Sequence, residues 1–229
     1  LAEYNLGVIF RDGVDLEKDI NKALKWFRRA AAQDNSAAQY NIGVIYAEGN
    51  GVDQDLNEAT EWFRLAAAQG LPRGQHALGR MYADGEVVDK NMTEALKWYR
   101  LAAAQGFALA QFHIAEAYLN DDHVRKDFAE GLKWLQSAAN LGNAAAQLRL
   151  GLIYAQGDEL DYDLDKATKW IRLAASQNNA AAQFALGYMH RFGEGVDKNT
   201  NEALRWFRLA AEQGFPDAQF FLGGFYTQG

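Results

Sequence analysis

Six tryptophans, Trp26, Trp62, Trp98, Trp134, Trp170 and Trp206, follow one another at a constant interval of 36 residues. Other positions keep the same register. A glycine recurs at Gly7, Gly43, Gly79, Gly151, Gly187 and Gly223, with Ala115 in the remaining copy. A ring recurs at Phe10, Tyr46, Tyr82, Tyr118, Tyr154, His190 and Tyr226, and an alanine pair runs from Ala30/Ala31 to Ala210/Ala211. No insertion breaks the spacing. A fixed period of this length marks a supersecondary unit that stacks on copies of itself, because one copy cannot bury its apolar face alone. The repeats run at about 1–34 (truncated), 35–70, 71–106, 107–142, 143–178 and 179–214, with 215–229 a partial seventh, and read as a single array over residues 1–229.

Each unit divides into two helices. In residues 36–47, Ala38, Ile42, Ile45 and Tyr46 recur with the period of an amphipathic helix. Pro72 and Pro216 stand where this helix begins, a place where a missing N–H costs nothing. Gly13, Gly49, Gly85, Gly157 and Gly193 stand at its end as left-handed stop residues. A loop of about eight residues follows, with one aliphatic expected to turn inward: Leu16, Val52, Val88, Val124, Leu160 or Val196. The second helix starts at Asp19, Asp55, Asn91, Asp127, Asp163 or Asn199. Glu58, Glu94, Glu130 and Glu202, three residues on, give the spacing of a capping box. It stops at Gly70, Gly106, Gly142 or Gly214, or at Asp34 and Asn178, the residue types that tolerate positive φ most easily.

Within this frame the tryptophan is expected to be the main core ring, its loss costing about 3–5 kcal/mol. The alanine pair keeps side chains short so that a neighbouring helix can approach. The mid-helix glycine costs about 0.5–1 kcal/mol relative to alanine and so marks a close contact that a Cβ would disturb.

Bulk properties remove several function classes. A net charge of −7 and the lack of any basic run exclude the footprint of a nucleic-acid binder. The absence of cysteine excludes disulfides, thiol catalysis and Cys-ligated zinc. No stretch approaches the roughly 18 apolar residues of a membrane span. About half the residues are hydrophobic, which supports a substantial core. Both ends of the chain lie inside the repeat pattern, so it reads as an excerpt, and the lack of a leader carries no weight. No phosphate-binding, zinc-protease or nucleophile-elbow motif occurs. His76 takes the slot of Tyr40, Phe112 and Phe184, and His190 takes a tyrosine slot; both read as ring-for-ring core replacements. Asp121, Asp122 and His123 form a loop able to attract a cation, and Asp158, Asp161, Asp163 and Asp165 form another dense in carboxylates. A calcium-loop frame begun at Asp161 puts Lys166 at the required glycine and Arg172 at the bidentate glutamate, so it fails. Both loops read as solvated, and no catalytic residue, metal or cofactor is expected.

Assembled, the unit reads A-x3-L-G-x2-Y-x2-G, then V-x2-D/N-x3-A-x2-W-x3-A-A-x2-G. Residues 38–70 carry it as Ala38, Ile42-Gly43, Tyr46, Gly49, Val52, Asp55, Ala59, Trp62, Ala66-Ala67 and Gly70. This resembles the Sel1-like repeat family, a relative of the tetratricopeptide repeat, over the whole chain. A tetratricopeptide unit has a period of about 34, and its tryptophan precedes the Leu-Gly pair; here it follows. The resemblance implies an all-α fold, a right-handed α/α superhelical solenoid whose first helices line the concave side. It also implies a non-enzymatic adaptor or scaffold for a protein or peptide partner. Members include bacterial secreted, envelope and host-interaction proteins and eukaryotic subunits of membrane-protein quality control; the regularity of the array leans the expectation toward a bacterial envelope or secreted protein without fixing the compartment. The subgroup with a disulfide in each repeat is set aside, since the chain has no cysteine.

If the recurring positions are structural, the varying ones carry any function. In the first helix they are spaced i, i+4, i+7, i+11 and form one stripe. Unit by unit it reads Ala37/Asn41/Val44/Glu48, Arg73/Ala77/Arg80/Asp84, Leu109/His113/Glu116/Asn120, Ala145/Arg149/Leu152/Gln156, Ala181/Ala185/Tyr188/Phe192 and Asp217/Phe221/Gly224/Gln228. Arg73, Arg80, His113, Glu116, Arg149, Leu152, Tyr188, Phe192 and Phe221 are its candidate partner-binding residues. Leu152, Tyr188, Phe192 and Phe221 are expected to be exposed toward the C-terminal end. With Arg149, Tyr188 and Phe192 match the composition of binding hot spots. A plain solvated face, a rigid spacer and a glycan-stacking envelope surface are the competing readings. The unit 107–142 departs most from the frame, at Ala115, Asp121, Gly131, Ser137 and Leu141, and local opening or bending is expected there.

Overall fold

The computed structural model describes residues 1–13, 17–120, 124–157 and 160–227. Leu16, Asp158, Gln228 and the Asp121/Asp122/His123 loop lie outside the described residues, so the readings made of them are left aside. The described residues form thirteen α-helices and no strand. They pack as two compact units, Leu1–Lys126 and Asp127–Gly229, and the division falls inside the repeat whose frame departs most.

The first unit holds α1 (Ala2–Asp12), α2 (Ile20–Ala31), α3 (Ser36–Glu48), α4 (Leu56–Ala68), α5 (Pro72–Asp84), α6 (Met92–Ala104) and α7 (Ala108–Asn120). The second holds α8 (Phe128–Asn140), α9 (Ala144–Gln156), α10 (Leu164–Ser176), α11 (Ala180–Phe192), α12 (Thr200–Glu212) and α13 (Pro216–Thr227). Within each unit every helix packs on the one that follows it, and α3 also touches α1 and α5.

The helix ends form as the residue types dictate. Asp19, Asp55, Asn91, Asp127, Asp163 and Asn199 each sit in extended backbone at an N-cap and accept a hydrogen bond from the amide three residues on. Gly13, Gly49, Gly85, Gly157 and Gly193 close the first helices in the left-handed region. Asp34 and Asn178 take φ of 59° and 64° where the other second helices stop at a glycine of positive φ. The capping box forms only by half. The N-cap amide donates instead across the loop, Asp55 N–H to Tyr46 O at 3.0 Å and Asn91 N–H to Tyr82 O at 2.9 Å. Glu58 and Glu130 instead accept from the indole Nε1 of Trp62 and Trp134, each at 2.9 Å.

The burial of the tryptophans differs from the expectation of a main core ring. All six tryptophans are half-buried, and the fully enclosed side chain is the residue after each: Phe27, Phe63, Tyr99, Leu135, Ile171 or Phe207. An indole N–H needs a polar partner, so its ring sits at the edge, whereas a phenyl or aliphatic group has no such demand. Truncating a tryptophan therefore costs less than a full core deletion. The mid-helix glycine is matched to that next residue. A Cβ on Gly43 would stand 2.6 Å from the Phe63 ring, and one on Gly151 would stand 2.6 Å from Ile171.

A second recurring contact joins the two helices of a single repeat. Gln69 donates to Gln39 at 2.8 Å, Gln105 to Gln75 at 3.0 Å, Gln177 to Gln147 at 2.7 Å and Gln213 to Gln183 at 2.8 Å. The acceptors are buried, so each pair satisfies an amide that would otherwise lose its water.

Candidate functional site: two equivalent grooves on the first-helix face

The stripe residues do not lie on one flat surface. Their first helices stand side by side with grooves between them, and the register places the same slots around each groove. Between α3 and α5 is a groove of about 490 Å³, walled by Tyr40, Val44, Arg73, His76 and Arg80, with Phe63 and Met81 below. Between α9 and α11 is one of about 400 Å³, walled by Leu148, Leu152, Ala181, Phe184 and Tyr188, with Ile171 and Met189 below. Adding three repeats of 36 residues to the first set gives the second: Tyr40 becomes Leu148, Val44 Leu152, Arg73 Ala181, His76 Phe184 and Arg80 Tyr188. The backbone frame is shared and the chemistry is not.

The α3–α5 groove is charged. Arg73 and Arg80 face Glu48, Asp84 and Glu86 around its rim, and Arg80 Nη2 lies 3.6 Å from Asp84 Oδ2. Burial pushes the Tyr40 phenol up, with Arg73 opposing. His76 is only 7% exposed, which agrees with its expected role as a core ring. Its ring lies 5.6 Å from Tyr99, 5.3 Å from Phe107 and 5.1 Å from His113. Burial first, then His113 and Arg80, pull it down to about 3, so it stays neutral through the physiological range. Further along the stripe, His113 stacks on Tyr99 at 5.3 Å and lines a cleft of about 280 Å³ with Glu116 and Asn120. Burial, followed by Arg80, lowers the His113 imidazole too, while Asp84 opposes. Asn120 donates to Glu116 at 2.9 Å.

The α9–α11 groove is apolar. Its lining carries two carboxylates, Glu194 and Asp217, and no basic group. On its α11 wall Tyr188 is 37% exposed, and Phe192, one turn on and outside the groove lining, is 50% exposed, their rings 4.4 Å apart.

The expectation of four exposed apolar residues holds for Tyr188 and Phe192 and needs correction for the other two. Leu152 is half-buried as a groove wall. Phe221 is half-buried because it packs 5.5 Å from Phe184 and 5.3 Å from Phe207. Together with Phe192, Phe220 and Phe225 it lines a smaller cleft of about 170 Å³. Arg149 is half-buried and engaged in interactions of its own. Not every stripe position faces outward: Asn41 and Ala77 are buried, Asn41 accepting from Arg11 and donating to the Ala37 carbonyl. Sequence reasoning missed Leu148 and Phe184 as groove walls because their slot repeats as a ring or large apolar group, and Phe215 because its slot is the first-helix N-cap, Asn in three other repeats. The signal was the loss of every polar atom from the Tyr40/His76 slot in the later repeats. Glu194 was missed as well, since it lies in a loop.

Among the described residues, no group of three or more His, Cys, Asp and Glu side chains converges to hold a metal. No described helix is long and apolar enough to cross a membrane. Asp163 is explained structurally, as an N-cap that also pairs with Lys166 at 2.9 Å.

Comparison with known proteins gives a consistent picture. The family model described as Sel1 repeat matches residues 1–35, 36–71, 72–107, 108–143, 144–179 and 180–215. The chain is similar to a protective antigen present in uropathogenic Escherichia coli strains, whose crystal structure displays an SLR fold. The two share 36% identity over 99% of this chain and 49% of that one, with a TM-score of 0.82. The chain thus spans about half the length of that relative. A Sel1 repeat protein from Oxalobacter formigenes is 30% identical over 99% of this chain and 88% of its own, with a TM-score of 0.82. An immunity protein from Pseudomonas aeruginosa, at 19% identity and a TM-score of 0.64 over 92% of this chain and 80% of its own, shares the fold. The search of curated proteins returned no match.

Proposed function

The chain belongs to the Sel1 repeat family, whose repeats often serve as protein–protein interaction modules, and we propose that it is a non-enzymatic scaffold holding a protein or peptide on its first-helix face. The observation that supports this reading is the α9–α11 groove. A shared frame that only set a distance would need no apolar cleft walled by an exposed tyrosine. Adjacent solvent-facing aromatics beside a preformed pocket are the composition of an interaction hot spot. Tyr188 and Phe192 are the anchors in this reading, and Leu152 and Phe184 form the wall they extend.

The test is to pan phage-displayed random peptides on the chain and to measure the selected peptides by fluorescence anisotropy on the wild type and on Tyr188→Ala/Phe192→Ala. The dissociation constant rises at least about tenfold, equivalent to about 1.4 kcal/mol, while the melting curve changes little. Unchanged affinity in the double variant sinks the reading and leaves a spacer.

A further inference from the structure

We propose that the α9–α11 groove takes a peptide segment in which one large apolar side chain is flanked by lysine or arginine. The inference rests on the scaffold reading and adds the chemistry of the occupant. The interior of the groove, with Leu148, Leu152, Phe184 and Tyr188 around it and Ile171 and Met189 below, offers contact to an apolar group. Its volume, about 400 Å³, falls in the range of roughly 300–1,000 Å³ in which pockets enclose a ligand group.

The charge comes from the rim. Glu194 follows the α11 stop glycine, its backbone amide held to the Met189 carbonyl at 3.0 Å. Asp217 lies in the first turn of α13. Both side chains are exposed, and neither makes an ion pair or side-chain hydrogen bond among the described residues. Two unpaired carboxylates at an apolar cleft with no cation in its lining favour a positive flank on whatever enters.

The equivalent groove shows that this charge pattern is not imposed by the fold. There Glu86 keeps the slot of Glu194, but Leu109 takes that of Asp217 and Arg73 and Arg80 take those of Ala181 and Tyr188, so the same peptide meets two guanidinium groups set among Glu48, Asp84 and Glu86. Complementary charge mainly sets selectivity and association rate, so the rim is expected to choose among apolar peptides rather than to supply most of the affinity.

Two phage libraries test this, each with a central leucine or phenylalanine, one flanked by Lys/Arg and the other by Asp/Glu, both panned on the 229-residue chain. Enrichment is expected from the basic-flanked library alone. Synthetic copies of its peptides then bind Glu194→Gln/Asp217→Asn about three- to tenfold more weakly, with a shallower salt dependence. Both substituted residues are exposed, so the variant keeps its fold. Equal enrichment from the acidic library, no enrichment from either, or affinity unchanged in the charge variant overturns the basic-flank inference. Loss of binding in Tyr188→Ala/Phe192→Ala without loss in the charge variant leaves the scaffold reading standing. Binding that survives the aromatic variant removes the scaffold reading itself.

Discussion

The α3–α5 and α9–α11 grooves are the same construction three repeats apart. In each, a mid-helix glycine, Gly43 or Gly151, rests on a buried side chain of the next helix, Phe63 or Ile171. Above that floor the first groove carries arginine, histidine and acid, and the second carries leucine, phenylalanine and tyrosine. Conformity to the repeat therefore identifies what holds the helices together, and departure from it identifies what a partner would meet. The two grooves also separate stability from recognition, because a change can be made at the floor or at the wall.

The largest effects are expected at the floors. Phe63→Ala should cost about 3–5 kcal/mol and Ile171→Ala about 2–5 kcal/mol in urea unfolding, since both side chains are enclosed. If either costs under about 1 kcal/mol, the grooves do not share a floor of equal weight. Next comes the fit of glycine to ring. Gly43→Ala should destabilise by about 1–3 kcal/mol, because the new methyl meets a buried phenyl group that cannot swing away. Gly223→Ala, whose Cβ would meet nothing within 4 Å, should be neutral or gain up to about 1 kcal/mol from helix propensity. Equal effects at the two positions would show that the glycine is there for some other reason.

A smaller effect separates the grooves by pH. His76 is held neutral in the fold, pulled from 6.5 to about 3, while the unfolded chain takes up a proton near its ordinary value. Its contribution is present in full above about pH 6.5 and is lost as pH falls toward about 3, because the unfolded state binds the extra proton over that window. His113, lowered by burial, acts in the same direction. His76→Phe, which copies the Phe184 of the other groove, should lose less stability between pH 7 and pH 4.5 than the wild type. An identical acid-side slope would show that His76 is not protected in the fold. The smallest effect concerns the irregular repeat 107–142, whose Gly131 lies buried inside α8 and weakens that helix by about 0.5–1 kcal/mol. Its amides should exchange faster than those of α4 and α12, and equal protection would contradict local opening.

Much of this fold was readable from spacing alone. Helix starts at Asp or Asn, stops at glycine or at Asp34 and Asn178, and proline entries at Pro72 and Pro216 all follow from backbone needs that are local and chemically narrow. The tryptophan misled because invariance measures how specific a requirement is, not how deeply a residue is buried. An indole bonded to Glu58 at the edge is more demanding than a phenyl group in the middle, where Phe, Tyr, Leu and Ile all serve. The glutamine pairs were missed for a related reason: a buried amide satisfied 30 residues away leaves no local pattern. At the candidate site the stripe located Tyr188, Phe192 and the arginines. It could not show that Leu148, Phe184 and Phe215, in slots that look like framework, open onto a groove. Nor could it show that Phe221 packs inward on Phe184 and Phe207.

The central claim is that recognition resides in wall positions that can change without disturbing the frame, and exchanging the walls tests it most directly. Tyr188→Arg/Phe192→Asp gives the α9–α11 groove the Arg80/Asp84 chemistry of its counterpart. With peptides selected on the wild type, anisotropy should show affinity reduced at least about tenfold. The same preparation should melt within about 2–4 °C of the wild type, the shift of roughly 1 kcal/mol. Retained affinity in a folded variant would contradict the account.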